Sequence, residues 1–100
     1  MTNIVQIIAA IAMLEGGAPK VASEHGYLHI TDRALKDYNT YTHLNVMAKE
    51  LDDKGVSDDV AKTLITKVWL PGVVDVKKVG KRWSGSSDYG ERLANLEAAK

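Results

Sequence analysis

Glu15 has the clearest chemical potential in this sequence, because it is a carboxylate that ends an almost wholly apolar run. From Ile4 to Leu14 the only polar residue is Gln6, and Gly16-Gly17 follows Glu15 at once. Apolar neighbours withhold the solvation that a carboxylate anion needs, and a helix C-terminus adds partial negative charge. Both effects favour the protonated carboxyl. A carboxyl that keeps its proton near neutrality is a general acid, and two glycines let the backbone turn away and leave room beside it. The plainer alternative is a side chain that bends into solvent at a helix end.

Glu24, Asp32 and Asp37 are candidates for the second carboxylate that glycoside cleavage often uses, although a solvated face or a helix cap accounts for each equally well. His25 and His29 are four apart, which suits a metal pair on a helix. Gly26 and the pattern Tyr27-Leu28-His29-Ile30 argue instead for a turn and a strand, and no third ligand stands at a suitable spacing, so no metal site is expected. The absence of Cys removes disulfides, thiolate metal sites and a cysteine nucleophile together. Neither Gly16-Gly17 nor Gly85-Ser86-Ser87 has the flanking strand and spacing of a phosphate loop, and no cofactor is expected.

Charge narrows the partners. Thirteen basic and thirteen acidic residues cancel, so no global field draws the chain to nucleic acid. Lys77, Lys78, Lys81 and Arg82 form the one local basic cluster; it reads as a solvated helix face, with an anionic glycan or nucleic acid as its functional alternatives.

The elements that must position these groups are mostly helices. With 100 residues, 45% of them apolar, and no Phe, the core is built from Ile, Leu, Val, Ala and Met in a single small domain, residues 1–100. The expected fold is mainly α, with five or six helices and at most one short β-hairpin. The first helix is capped by Thr2 or Asn3 and is buried; it is shorter than the about 20 apolar residues needed to span a bilayer, and it lacks the positive start of a signal peptide. Residues 16–26 read as a loop and Tyr27–Ile30 as the strand. Thr31 or Asp32 caps a short helix to about Tyr38, and Leu44, Met47, Ala48 and Leu51 then mark an amphipathic helix over Tyr41–Lys54, closed by Gly55. Ser57 with Asp58 and Asp59 opens a helix that runs to Leu70 and stops at Pro71-Gly72. Val73–Trp83 forms the next, and Asp88 caps a last helix through Leu93, Leu96 and Ala99.

The order of these pieces resembles the lysozyme superfamily, in particular its lytic transglycosylases and muramidases of bacteriophage type. Ile8-Ala9-Ala10-Ile11-Ala12-Met13-Leu14-Glu15-Gly16-Gly17-Ala18-Pro19-Lys20-Val21 is similar to their apolar opening helix, which ends in Glu followed by small residues. Gly26-Tyr27-Leu28-His29-Ile30-Thr31 resembles their Gly-x-x-Gln-Ile strand, with His29 in place of Gln. Lys81-Arg82-Trp83-Ser84-Gly85-Ser86 resembles the segment that lines the far wall of the sugar groove, with Ser84 in place of Asn. In the T-even phage type an acid follows the catalytic Glu nine positions on, and then a Thr; Glu24 and Thr31 stand at or near those places. The resemblance implies a small, lysozyme-like helical domain that cleaves peptidoglycan glycan strands. Glu15, Glu24 and Thr31 would be the catalytic residues, and Tyr27, His29, Tyr41, Trp83 and Ser84, with Tyr38, would contact sugar. A phage enzyme without a leader would reach the wall through a holin, a virion or lysis. Two other readings remain open: a non-catalytic helical interaction protein on a degenerate lysozyme-like scaffold, and nucleic-acid binding through the basic cluster.

Overall fold

The apolar run folds as expected into a helix, α1 (Ile4–Glu15), which buries Ile7, Ile8, Ala10 and Ile11 and leaves Val5 and Met13 exposed. The structure is a computed structural model and describes residues 4–16, 19, 21–69 and 75–98, with side chains through 96. The expected caps Thr2 and Asn3, the breakers Gly17 and Pro71-Gly72, and the helix positions Leu70, Val73 and Ala99 lie outside the described residues. Gly16 leaves α1 at φ +63°, with its amide donating to the Ala12 carbonyl at 3.1 Å.

The expected hairpin is present but smaller and shifted. Strand β1 (Glu24–His25) pairs antiparallel with β2 (Ile30–Thr31), with Glu24 opposite Thr31 and His25 opposite Ile30. Tyr27, Leu28 and His29 therefore belong to the turn, not to a strand. Two residues set that turn: Gly26 at φ +74° and His29 at φ +54°. A Cβ at Gly26 would run into the Leu51 carbonyl and the Ser57 hydroxyl, so the tip of the hairpin is clamped against the following elements. Leu28 and Ile30 are fully buried.

Thr31 caps α2 (Asp32–Thr42), its Oγ1 accepting from the Ala34 amide at 3.1 Å. The amphipathic helix expected over Tyr41–Lys54 does not form. His43 turns left-handed at φ +60°, and the Asn39 side chain donates to the Val46 carbonyl and accepts from the Val46 amide, both at 3.0 Å. That side chain satisfies the backbone polar groups that helix hydrogen bonds would otherwise claim. Only a 3-10 turn over Ala48–Asp52 follows; Leu51 is buried, whereas Leu44 and Met47 are exposed.

The next helix, α3 (Lys54–Thr63), starts three residues before the expected Ser57. Asp53 is its cap, accepting from the Val56 amide at 3.2 Å, and Gly55 lies in its first turn. Ser57 is instead fully buried, and its hydroxyl donates to the Leu51 carbonyl at 2.5 Å. A wider π-helical turn, Leu64–Trp69, continues α3 and carries Trp69 to the surface.

Helices α4 (Val76–Ser84, capped by Asp75) and α5 (Ser87–Ala98) pack tightly against each other. Asp88 lies within the first turn of α5 rather than at its cap. Gly80 and Gly90 explain the close approach: a Cβ on Gly80 would lie 2.5 Å from the Gly90 Cα, and one on Gly90 would collide with the Lys77 carbonyl. Val79 and Leu93 join Ile7, Ile11, Leu51, Val60, Leu64 and Ile65 in one core, onto which α1 packs through α3 and α5. The chain is thus mainly helical with one small hairpin. No helix among the described residues is long and apolar enough to cross a membrane.

Candidate active site

Three elements converge on the end of α1. Glu15 comes from its last position, Glu24 and His29 come from the hairpin, and Tyr89 comes from the first turn of α5. The Tyr89 hydroxyl donates to Glu15 Oε1 at 2.8 Å, while Glu15 Oε2 lies 2.8 Å from His29 Nδ1. The same His29 nitrogen lies 3.3 Å from Glu24 Oε1. The side chains are mostly covered: Glu15 is 17% exposed, His29 11% and Glu24 31%. Glu15 therefore does not bend into bulk water at the helix end. It is held by both oxygens.

This arrangement has specific electrostatic consequences. Burial first, and the neighbouring Glu15 carboxylate second, push the Tyr89 phenol far above its ordinary value, so Tyr89 remains a hydrogen-bond donor. The 2.8 Å between Glu15 Oε2 and His29 Nδ1 is a hydrogen-bond distance. His29 holds this position with a left-handed backbone, which costs a non-glycine residue about 1–3 kcal/mol.

Thr31 links this cluster to a groove of about 590 Å³. As cross-strand partners, Glu24 and Thr31 project from the same face of the hairpin, and Thr31 lines the groove with Ala34, Asp37, Trp69, Arg82 and Trp83. Ser84 also lines it, at the end of α4. The two indoles meet edge to face, 5.9 Å apart at 76°. The Trp69 Nε1 donates to Asp37 at 3.2 Å, and Arg82 lies 5.0 Å over the Trp69 ring and 3.7 Å from Asp37. These contacts hold both ring systems in fixed orientation. Glu15 is not itself part of the groove lining; Thr31 is the residue of the expected catalytic set that is.

Other expected site residues fall elsewhere. Tyr27 lines a separate hollow of about 510 Å³ beside α1, where its hydroxyl donates to Asp58 and Lys54 lies 5.2 Å over its ring. Tyr38 is a core residue whose hydroxyl donates to Asp59 at 2.9 Å. Tyr41 is exposed on α2 and lines neither hollow. His25 does not pair with His29 on a common ligand, because the register turns it to the opposite face, where it meets Asp32 at 2.7 Å. Lys78, Lys81 and Arg82 of the basic cluster do reach the groove, and Arg33 joins them.

Tyr89 and Trp69 escape a reading of the sequence. Tyr89 lies 74 positions from the carboxylate it holds, and Trp69 reaches the groove through the wide turn after α3. The presence of Tyr in the first turn of the last helix was the one available signal for the former. No family model, curated protein or solved structure matches the chain.

Proposed function

We propose that the protein is a small lysozyme-like glycosidase that cleaves peptidoglycan, acting as a lytic transglycosylase or muramidase with Glu15 as general acid and base. The observation that carries this reading is the largely covered Glu15 carboxyl, which accepts from Tyr89 on one oxygen and lies 2.8 Å from His29 Nδ1 on the other. Glu24 stands beside the same imidazole, next to a tryptophan-walled groove. Protonated Glu15 delivers its proton to the glycosidic oxygen between N-acetylmuramic acid and N-acetylglucosamine while charge develops on the sugar ring. The resulting carboxylate then activates the muramyl 6-hydroxyl or a water. Trp83 and Trp69 offer apolar faces to sugar rings, and Thr31 and Ser84 offer polar contacts at the groove edge.

The test is mass analysis of fragments after incubation with purified cell walls. Anhydro ends identify a transglycosylase and reducing ends a muramidase. Replacing Glu15 by Gln should lower cleavage about 100- to 10,000-fold with the thermal midpoint nearly unchanged; full cleavage by this variant removes the proposal.

One observation favours a second reading, a non-catalytic helical interaction protein. Both oxygens of Glu15 are engaged within the chain, and the residue does not line the groove. Its contacts would then serve to pin the hairpin to α1 and α5. No fragments from cell walls or chitooligosaccharides, together with a stable complex in a pull-down, would select it.

A further inference from the structure

Nδ1 of His29 faces two carboxylate oxygens, Glu15 Oε2 at 2.8 Å and Glu24 Oε1 at 3.3 Å. One ring nitrogen carries at most one proton and cannot satisfy both oxygens equally. The three donor atoms, one from each residue, lie within 4.8 Å of one another. A zinc-type ion with nitrogen and carboxylate ligands at about 2.0–2.2 Å sets tetrahedral edges of about 3.3–3.6 Å. The 3.3 Å separation from His29 to Glu24 equals one such edge, and the 2.8 Å separation from His29 to Glu15 needs to open by only about 0.5 Å to make a second.

Charge and access agree with this geometry. Two carboxylates and a neutral imidazole carry two negative charges, matching a divalent ion, and no Lys or Arg among the described residues forms an ion pair with Glu15 or Glu24. The imidazole nitrogen disfavours magnesium and calcium, which prefer all-oxygen shells, and suits zinc or cobalt. Partial exposure of Glu24 gives an ion a way in, and three protein ligands leave a fourth position for water. Tyr89 restrains Glu15 Oε1 and so directs Oε2 at the site, as outer-shell donors do for metal-binding carboxylates.

We infer that Glu15, Glu24 and His29 form a binding site for a zinc-type divalent ion, and that occupancy switches off acid catalysis. On binding, the ion takes the Glu15 oxygen and the His29 nitrogen, and any proton on these atoms passes to solvent. The inhibition rests on the reading of Glu15 as the acid. The binding does not.

The experiment titrates metal-free protein with zinc by calorimetry and with cobalt by visible absorbance, which reports coordination number directly. One ion per chain is expected, with at least tenfold weaker binding in Glu24→Gln and His29→Asn. Asn tolerates the left-handed backbone at position 29, and circular dichroism checks that both variants fold. His25→Asn, on the opposite face, should bind as the parent does. No saturable binding, or equal binding by the parent and both variants, overturns the site. Zinc should also abolish cell-wall cleavage by the parent. Cleavage that survives saturating zinc overturns the switch. If instead zinc binds but Glu15→Gln cleaves normally, the metal site stands and the acid assignment falls.

Discussion

Tyr89 is the residue on which the proposed chemistry of Glu15 depends most directly, because among the described residues it is the donor from α5 that reaches it. Tyr89→Phe should free one carboxylate oxygen and reduce cell-wall cleavage by about tenfold or more, as the loss of an orienting hydrogen bond to a reacting group does, while the far-ultraviolet spectrum is unchanged. The same tyrosine makes a pH prediction. Tyr27, Tyr38 and Tyr89 are all raised, by burial first and then by a carboxylate partner, Asp58, Asp59 and Glu15 respectively. Above about pH 10 the unfolded chain releases these protons while the folded chain keeps them. The unfolded state then binds fewer protons, so stability present below that pH is lost as pH rises. Urea midpoints should fall above about pH 10, and less steeply in Tyr89→Phe. At this scale the sequence singled out Glu15 as a candidate, because a carboxylate at the end of ten apolar residues and one Gln is a local pattern. It could not reveal Tyr89 or the pairing with His29, since contacts across 74 and 14 positions leave no local trace.

Among the elements, the hairpin and the α4–α5 pair carry the strictest requirements. Ser57 is buried against the hairpin tip and donates to the Leu51 carbonyl. Ser57→Ala leaves that carbonyl without its partner and should cost about 1–3 kcal/mol in urea unfolding. Gly80→Ala forces α4 off α5 and should cost about 1–3 kcal/mol by overpacking, whereas Gly85→Ala, at an exposed helix end with open space around it, meets only backbone strain. The helix starting at Ile4 was legible from its nearly continuous apolar run and the one at Asp32 from Thr31, although the latter runs on to Thr42, four residues past the expected Tyr38. The misread one, Tyr41–Lys54, shows why a stripe is not enough: Asn39 captured both polar groups of Val46, and Asp53 outcompeted Ser57 as cap because Ser57 was drawn inward. The side-chain groups that decided these boundaries lie outside the stripe itself.

For the whole molecule, zero net charge conceals a local imbalance. Arg33, Lys78, Lys81 and Arg82 line the groove against one carboxylate, Asp37, which already accepts from Trp69 and pairs with Arg82. On the proposed function, Trp83→Ala should raise KM for cell walls several-fold with less effect on kcat, because an indole stacked on sugar would contribute to binding in ground and transition states alike. Overall helical character followed from composition and the lack of Phe, whereas the groove did not, since its walls come from α2, the turn after α3, and α4.

The hydrogen bond between Tyr89 and Glu15 spans 74 positions and joins α5 to α1. A ribosome exposes Glu15 long before it makes α5, so a nascent or truncated polypeptide holds this carboxylate without its tether. Activity would then appear only with the final helix, and a fragment ending before residue 87 should be inert even where α1 and the hairpin have formed.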